Sequence, residues 1–270
     1  MKQVLYRIIP VAFIILAAAC TTPKKSVEVQ NAEDAFKRRD FKAAFSLYMV
    51  EAEKGDPEAQ FRVGYMFTNG QGVEKNELLA FQWMSKAGGQ GHAIAQYNVG
   101  KMFQAGVGTN RDLAQAAGWY EKAAGQDVVE AMLALGLMKY KGLGVAPDKA
   151  GAADLFERAS VAGNARAQTI LGYMLFKGDG VPKNYPKAQI FFKMAAKQKS
   201  GFAQQYLGVL YANGLGVTQS KNEALYWYFE AGKSYAAVGD KKKAKSMANE
   251  INRIDKDHQY YSELMGIIGK

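Results

Sequence analysis

Ala203 to Ala231 reads AQQYLGVLYANGLGVTQSKNEALYWYFEA. Its alanines, leucines and rings recur at three, four and seven residues with no alternating stretch, so both halves read as helices. Gly214-Leu215-Gly216 between them reads as a turn. The same text returns along the chain with a period of 36 residues. Gly64, Gly100, Gly136, Gly172 and Gly208 share one position, and Ala59, Ala95, Ala131, Ala167 and Ala203 share another. The loop glycines pair as Gly70 and Gly72, Gly106 and Gly108, Gly142 and Gly144, Gly178 and Gly180, Gly214 and Gly216. Ala80, Ala116, Ala152, Ala188 and Ala224 precede a bulky row of Trp83, Trp119, Leu155, Phe191 and Trp227, followed by Ala87, Ala123, Ala159, Ala195 and Ala231. A fixed period held this often is the signature of stacked repeats, each too small to bury its own apolar face.

The turn explains its own residues. Gly70 and its equivalents stand where a helix end needs a left-handed backbone, which side chains resist. Asn76, Asp112, Asp148, Asn184 and Ser220 then occupy one position, each with a side-chain oxygen able to accept from the free amides of a helix start. Asp56 before Pro57, Asn164 and Ser200 announce the first helix of their units in the same way. The Gly64 row lies inside a helix, where glycine costs about 1 kcal/mol relative to alanine. That implies close helix approach, and the alanines of the second helix are expected to supply the small partner.

The motif Ala-x-x-x-Leu-Gly-x-x-Tyr-x-x-Gly-x-Gly-Val, a cap, then Ala-x-x-Trp-Tyr-x-x-Ala-Ala resembles Sel1-like repeats, relatives of the tetratricopeptide repeat. It is close to Ala203 through Val217 and Ala224 through Ala231. Thr109 at the Val73 position, Lys139 at the Phe67 position and Leu155 in the tryptophan row depart from it. The resemblance implies an all-α superhelical solenoid of antiparallel helix pairs, with five repeats over 57–232. Residues 31–56, with Ala44, Leu47 and Tyr48 one period before Ala80, Trp83 and Met84, form a degenerate opening unit. Residues 233–270 form a closing cap, expected as helices over Lys233 to Val238 and Lys241 to Ile254, then near Asp257 to Ile268. Atypical ends are what a solenoid needs.

The start of the chain bears on compartment. Lys2 and Arg7 precede an apolar run from Ile8 to Ala18, and Ala17-Ala18-Ala19-Cys20 follows. A membrane span needs about 20 apolar residues; roughly half that, with small residues at its end, reads as a secretory signal over 1–19. Its removal takes away Lys2 and Arg7 and lowers the formal charge from +10 to +8. Cys20 is the only cysteine, so the core is stabilised by packing alone. Its position resembles the lipobox of bacterial lipoproteins, with Leu16 one place earlier than the family has it. That resemblance implies lipidation of Cys20, with an outer-membrane address because Thr21 is not Asp. The alternative is a cysteine discarded with an ordinary signal peptide. Two or more acyl chains anchor stably where one binds marginally. Residues 20–30 read as lipidated cysteine and flexible tether.

Catalysis needs a constellation, and none is legible. His92 lies before a helix start and His258 in the tail, without a second histidine or cysteine near either. Both read as solvated or capping residues, no cofactor or metal is expected, and a cell-wall enzyme is the rejected reading. Recognition falls to side chains the fold does not dictate. With Ala59, Val63, Met66 and Phe67 as the buried stripe of the first helix, the residues opposite are Phe61, Tyr65, Tyr97, Leu133, Leu137, Tyr140, Tyr173 and Phe176. They form either an inner apolar groove for a protein partner or packing between neighbouring first helices. Met66, Met102, Met138 and Met174 read as core rather than as an adaptable strip.

Lys183, Lys187, Lys193, Lys197, Lys199 and Lys221 stand in a run without acids, and Lys241, Lys242, Lys243 and Lys245 follow in the tail. This is either a solvated face or a surface for anionic glycan or lipid rather than nucleic acid. The expected function is a non-enzymatic envelope lipoprotein facing the periplasm. It would serve as an adaptor for protein partners of the envelope or of a host, held on the lipid membrane through acylated Cys20. An assembly factor for a cell-wall or polysaccharide export machine is the alternative.

Overall fold

Every repeat folds as two helices because each helix carries an apolar stripe and a left-handed stop and, at every start but the one after Val128, a side-chain cap. The computed structural model describes residues 26–269, and all fourteen regular elements among the described residues are helices. An opening pair, α1 (Val27–Lys37) and α2 (Phe41–Glu53), precedes the repeats. The first (A) helices of the five repeats are α3 (Pro57–Asn69), α5 (Ala93–Ala105), α7 (Val129–Lys141), α9 (Ala165–Lys177) and α11 (Gly201–Asn213). Their B helices are α4 (Glu77–Gly89), α6 (Leu113–Ala124), α8 (Lys149–Val161), α10 (Tyr185–Lys197) and α12 (Lys221–Ala237). Helices α13 (Lys241–Ile254) and α14 (Gln259–Gly269) close the stack. Each helix packs on the next in the chain, giving a solenoid of antiparallel pairs.

The expected caps form. Asn76, Asp112, Asp148, Asn184 and Ser220 each accept from an amide in the first turn of a B helix, and Asp56, Asn164 and Ser200 do so for A helices. Gly70 closes α3 at φ 66° and donates its N–H to the Met66 carbonyl. The second loop glycine has a different duty. A Cβ on Gly108 would lie 2.0 Å from the Glu77 carbonyl oxygen, so this loop rests its backbone on the start of the preceding B helix. Gly72, Gly144, Gly180 and Gly216 rest in the same way on the starts of α2, α6, α8 and α10.

The glycine inside each A helix seats a large side chain, which corrects the expectation of alanine. A Cβ on Gly100, Gly136, Gly172 or Gly208 would meet the ring of Tyr120, Phe156, Phe192 or Tyr228 at 2.6–2.8 Å, and one on Gly64 would meet Met84 at 2.7 Å. The cost of glycine in a helix is thus offset by burying a ring, worth about 2–3 kcal/mol. The alanine rows border these rings, and Met66, Met102, Met138 and Met174 are buried beside them.

A glutamine ladder ties one repeat to the next. Gln60, Gln96 and Gln168 donate to the carbonyls of Ala52, Gly88 and Ser160 at 3.0–3.1 Å, near the end of the preceding B helix. Gln90, Gln126 and Gln198 then donate to the side-chain oxygens of those three glutamines at 2.7–3.0 Å. They also donate to the carbonyls of Gly55, Gly91 and Gly163 at 2.9 Å. The third repeat has Met132 and Ala162 at these two positions. There Arg158 donates from Nη2 to the Ala124 carbonyl and to Asp127, both at 2.9 Å, so the carbonyl at this buried helix end keeps a donor.

Two boundaries differ from expectation. Ser26 caps α1 and Val29 is buried, so Val27 to Gln30 belong to the folded body and not to the tether. Lys233 to Val238 is not a separate helix: α12 runs unbroken to Ala237, because Tyr228, Gly232 and Tyr235 continue its buried face and Gly232 receives Leu264 of α14. The expected signal, Cys20 and the rest of the tether lie outside the described residues. No helix among the described residues is long and apolar enough to cross a membrane.

Candidate interaction face of the A helices

With Ala59, Gln60, Val63, Gly64, Met66 and Phe67 of α3 buried in the seams, residues 58, 61, 62 and 65 are left on the other side. The same four positions in later repeats hold Ile94, Tyr97, Asn98 and Lys101, then Glu130, Leu133, Ala134 and Leu137. The last two copies are Arg166, Thr169, Ile170 and Tyr173, then Phe202, Gln205, Tyr206 and Val209. Few of these are fully exposed: Tyr65 is 39% exposed and Ile94 44%, while Phe61, Tyr97, Leu133, Leu137 and Tyr173 are half-buried. Successive A helices touch through them. Phe61 stacks on the His92 ring at 4.7 Å, Phe36 meets Tyr65 edge-on at 6.5 Å, and Tyr173 meets Phe202 and Tyr206 edge-on at 5.5 and 5.4 Å. Tyr97 leans on Tyr120 at 5.8 Å. These residues therefore pack on neighbouring helices with one side and keep the other partly open to solvent.

Tyr140 and Phe176 sit one turn further along, at the loop end. The Tyr140 hydroxyl donates to Asp179 of the next repeat, and Lys149 pairs with the same carboxylate. This bond to Asp179 pushes the Tyr140 phenol up to about 12, while Lys149 and then Tyr140 hold the Asp179 carboxyl below its ordinary range. Phe176 packs edge-on against Tyr206 at 5.0 Å and Tyr185 at 5.4 Å.

The two ends of the face differ in charge. Near its start Glu58 is held by Arg62 at 2.7 Å and by His92 Nε2 at 3.2 Å, and Arg62 also reaches Glu33 at 3.8 Å. The hydrogen bond from His92, with Arg62 adding to it, lowers the Glu58 carboxyl to about 2. Toward the other end Arg166 and Lys177 are exposed and make no ion pair among the described residues, while Lys177 lies 5.7–5.8 Å from the ring centres of Phe176 and Tyr173. Between α9 and α11 an open cavity of about 540 Å³ is lined by Arg166, Thr169, Ile170, Tyr173, Ser200 and Phe202 among others. Phe202, Tyr206, Ile170 and Arg166 were missed from sequence. Positions 58 and 62 flank 61 and 65 on a helix, so extending the stripe by three and four residues would have included them.

The basic run is partly neutralised, from neighbouring elements and by the cap of α13. Lys187 pairs with Glu157 of the preceding repeat at 2.8 Å, Lys221 with Asp255 at 3.2 Å and Lys243 with Asp240 at 3.0 Å. Lys183 lies 5.9 Å from the ring of Tyr185 and Lys193 5.8 Å from that of Tyr211. Lys197, Lys199, Lys241 and Lys242 are exposed without an ion pair among the described residues. His92 and His258 act as caps, accepting through Nδ1 from the amides of Ala95 and Tyr260. No group of three metal-ligating side chains occurs among the described residues.

Comparison with known proteins gives the same divisions. The Sel1 repeat model matches residues 57–92, 93–128, 129–164, 165–200 and 201–234. A Sel1 repeat protein from Oxalobacter formigenes is similar with a TM-score of 0.73 and 28% identity, over 91% of this chain and 98% of that one. A protective antigen present in uropathogenic Escherichia coli strains, displaying an SLR fold, gives a TM-score of 0.81 and 26% identity over 90% of this chain. This chain spans 53% of that antigen's. The yeast Saccharomyces cerevisiae chitin synthase regulator SKT5 is 39% identical over 59 residues, which are 22% of this chain and 8% of the regulator. Since the matched units begin and repeat where the capped helix pairs do, this chain belongs to the Sel1 repeat family.

Proposed function

We propose that this chain is a lipid-anchored adaptor of the bacterial envelope that binds a protein partner along the open face of its A helices. Sel1-repeat solenoids generally mediate protein–protein interaction. The observation that carries the reading here is the continuous row from Phe61 through Tyr97, Leu133 and Leu137 to Tyr173. These apolar residues keep a solvent-facing side although the seams are already filled by other side chains. Aromatic anchors of this kind dominate interfaces. The signal-like start, Cys20 and the polar segment after it support an anchored, outer-membrane protein facing the periplasm, and likeness to a protective antigen supports an envelope address.

The test is crosslinking and co-purification of the full-length protein from its native envelope beside a variant with Tyr97, Leu137 and Tyr173 all changed to Ser. The parent recovers a protein that the folded variant does not; equal recovery from both would refute the face. Cys20→Ala should release the protein from membranes without detergent, and unchanged membrane association would refute the anchor.

A second reading, an assembly factor for a cell-wall or polysaccharide machine, is favoured by the unpaired Lys197, Lys199, Lys241 and Lys242. The short match to a chitin synthase regulator also supports it. It predicts salt-sensitive co-sedimentation with peptidoglycan or lipopolysaccharide that is lost when these four lysines become Gln.

A further inference from the structure

We infer that the cavity between α9 and α11 is an acidic-peptide subsite. It would take a through-running protein segment that sets an aromatic or aliphatic side chain beside an internal Asp or Glu. The inference rests on the A-helix face being the binding face and names what it binds there. Three observations carry it. The walls are apolar, formed by Ile170, Tyr173 and Phe202, and the volume of about 540 Å³ exceeds what one side chain fills. Arg166 lines the same cavity, is exposed, and has no carboxylate partner among the described residues. The surroundings are one-sided in charge. Lys177 stands over Tyr173, Lys199 adjoins Ser200 on the rim, and the chain has no acid from Gly180 to Asn222.

The contrast within the row is informative. The Arg166 position is Glu58 in the first repeat, already neutralised by Arg62 and His92, then Ile94, Glu130 and, in the fifth, Phe202, so at this position the fourth repeat alone carries a cation, unpaired and beside an apolar hollow. An arginine accepts a carboxylate in a planar, two-pronged fashion. A free chain terminus is disfavoured because the face continues on both sides of the cavity, over Leu137 of α7 and Tyr206 of α11.

The experiment selects ten-residue peptides, displayed without a free C-terminus, on the purified full chain. The enriched sequences are then measured as synthetic peptides against variants. Expected are peptides with Asp or Glu within two residues of an aromatic or aliphatic side chain. Their binding should weaken at least about tenfold on Arg166→Glu and recover when the peptide acid is changed to Lys. Arg166 lies in the first turn of α9, where a glutamate suits the helix dipole, so this variant stays folded. Enriched peptides without an acid, affinity indifferent to Arg166→Glu, or binding only through a free C-terminal carboxylate would each overturn the inference. Loss of peptide binding on Tyr97→Ser but not on Arg166→Glu would refute this subsite while leaving the A-helix face as the binding surface. Indifference to both would remove that reading as well.

Discussion

The seams between helices and the open face of the A helices are built from the same five repeats, yet they obey different rules. In the seams nearly the same side chain returns at each position: glycine under a ring, or under Met84 in the first repeat, glutamine under a carbonyl in all repeats but the third, alanine at the crossings. On the open face the row that starts at Glu58 continues as Ile94, Glu130, Arg166 and Phe202, and the row that starts at Arg62 continues as Asn98, Ala134, Ile170 and Tyr206. The seam repeats because each joint solves the same packing problem. The open face varies because folding leaves those positions free, and that freedom is where a partner is read.

The contrast is broken most severely by disturbing a joint. Gly108→Ala sets a Cβ against the Glu77 carbonyl at a φ of 66°, and the clash with backbone strain together should cost about 3 kcal/mol, read as a fall in the urea midpoint. Gln96→Met copies what the third repeat carries but leaves the Gly88 carbonyl without its donor, for about 2 kcal/mol. At Arg158's position the second repeat has Lys122, which lies over the Trp119 ring, so no compensation is at hand. The third repeat offers the converse: Arg158→Ala should cost about 1–2 kcal/mol, and Met132→Gln in that background should recover part of it.

The charged end of the open face behaves like a seam in its response to pH. The Glu58 carboxyl is lowered from 4.5 to about 2, so its contribution is present above 4.5 and is lost as pH falls from there toward 2. Glu58→Gln should therefore lower stability at pH 7 by about 2 kcal/mol and leave a smaller difference from the parent near pH 2. An equal difference at both values would remove the His92 and Arg62 network as its source. At the small end, Arg166→Glu should move stability by no more than about 0.5 kcal/mol, as for other surface changes.

How much of this was legible follows the same division. The caps and turn glycines could be read one at a time because each acts on backbone within a few residues. The row of Gln60, Gln96, Gln168 and Gln204 is visible in the sequence, but the pairing of its first three members with Gln90, Gln126 and Gln198 joins chain segments 30 residues apart. The Gly64 row announced close approach without saying what approached, since both the alanines and the rings of the B helix recur in register. The folded body begins earlier than the polar composition indicates, because in Val27 to Gln30 only Val29 is buried, and a single buried valine with a serine cap is a weak local signal. On the face itself, Phe61, Tyr65, Tyr97 and Tyr173 were found from helical geometry. The cavity beside Arg166 was not, because it exists only between two helices.

The most direct test of the A-helix face as the binding surface places a photo-crosslinking amino acid at Leu137 on that face or at Asp154 on the exposed side of α8 in the same repeat. Both proteins are then irradiated in the native envelope. A discrete protein adduct is expected from position 137 and none of that size from position 154. The same adduct from both positions, or from position 154 alone, would contradict the assignment of the A-helix face as the binding surface.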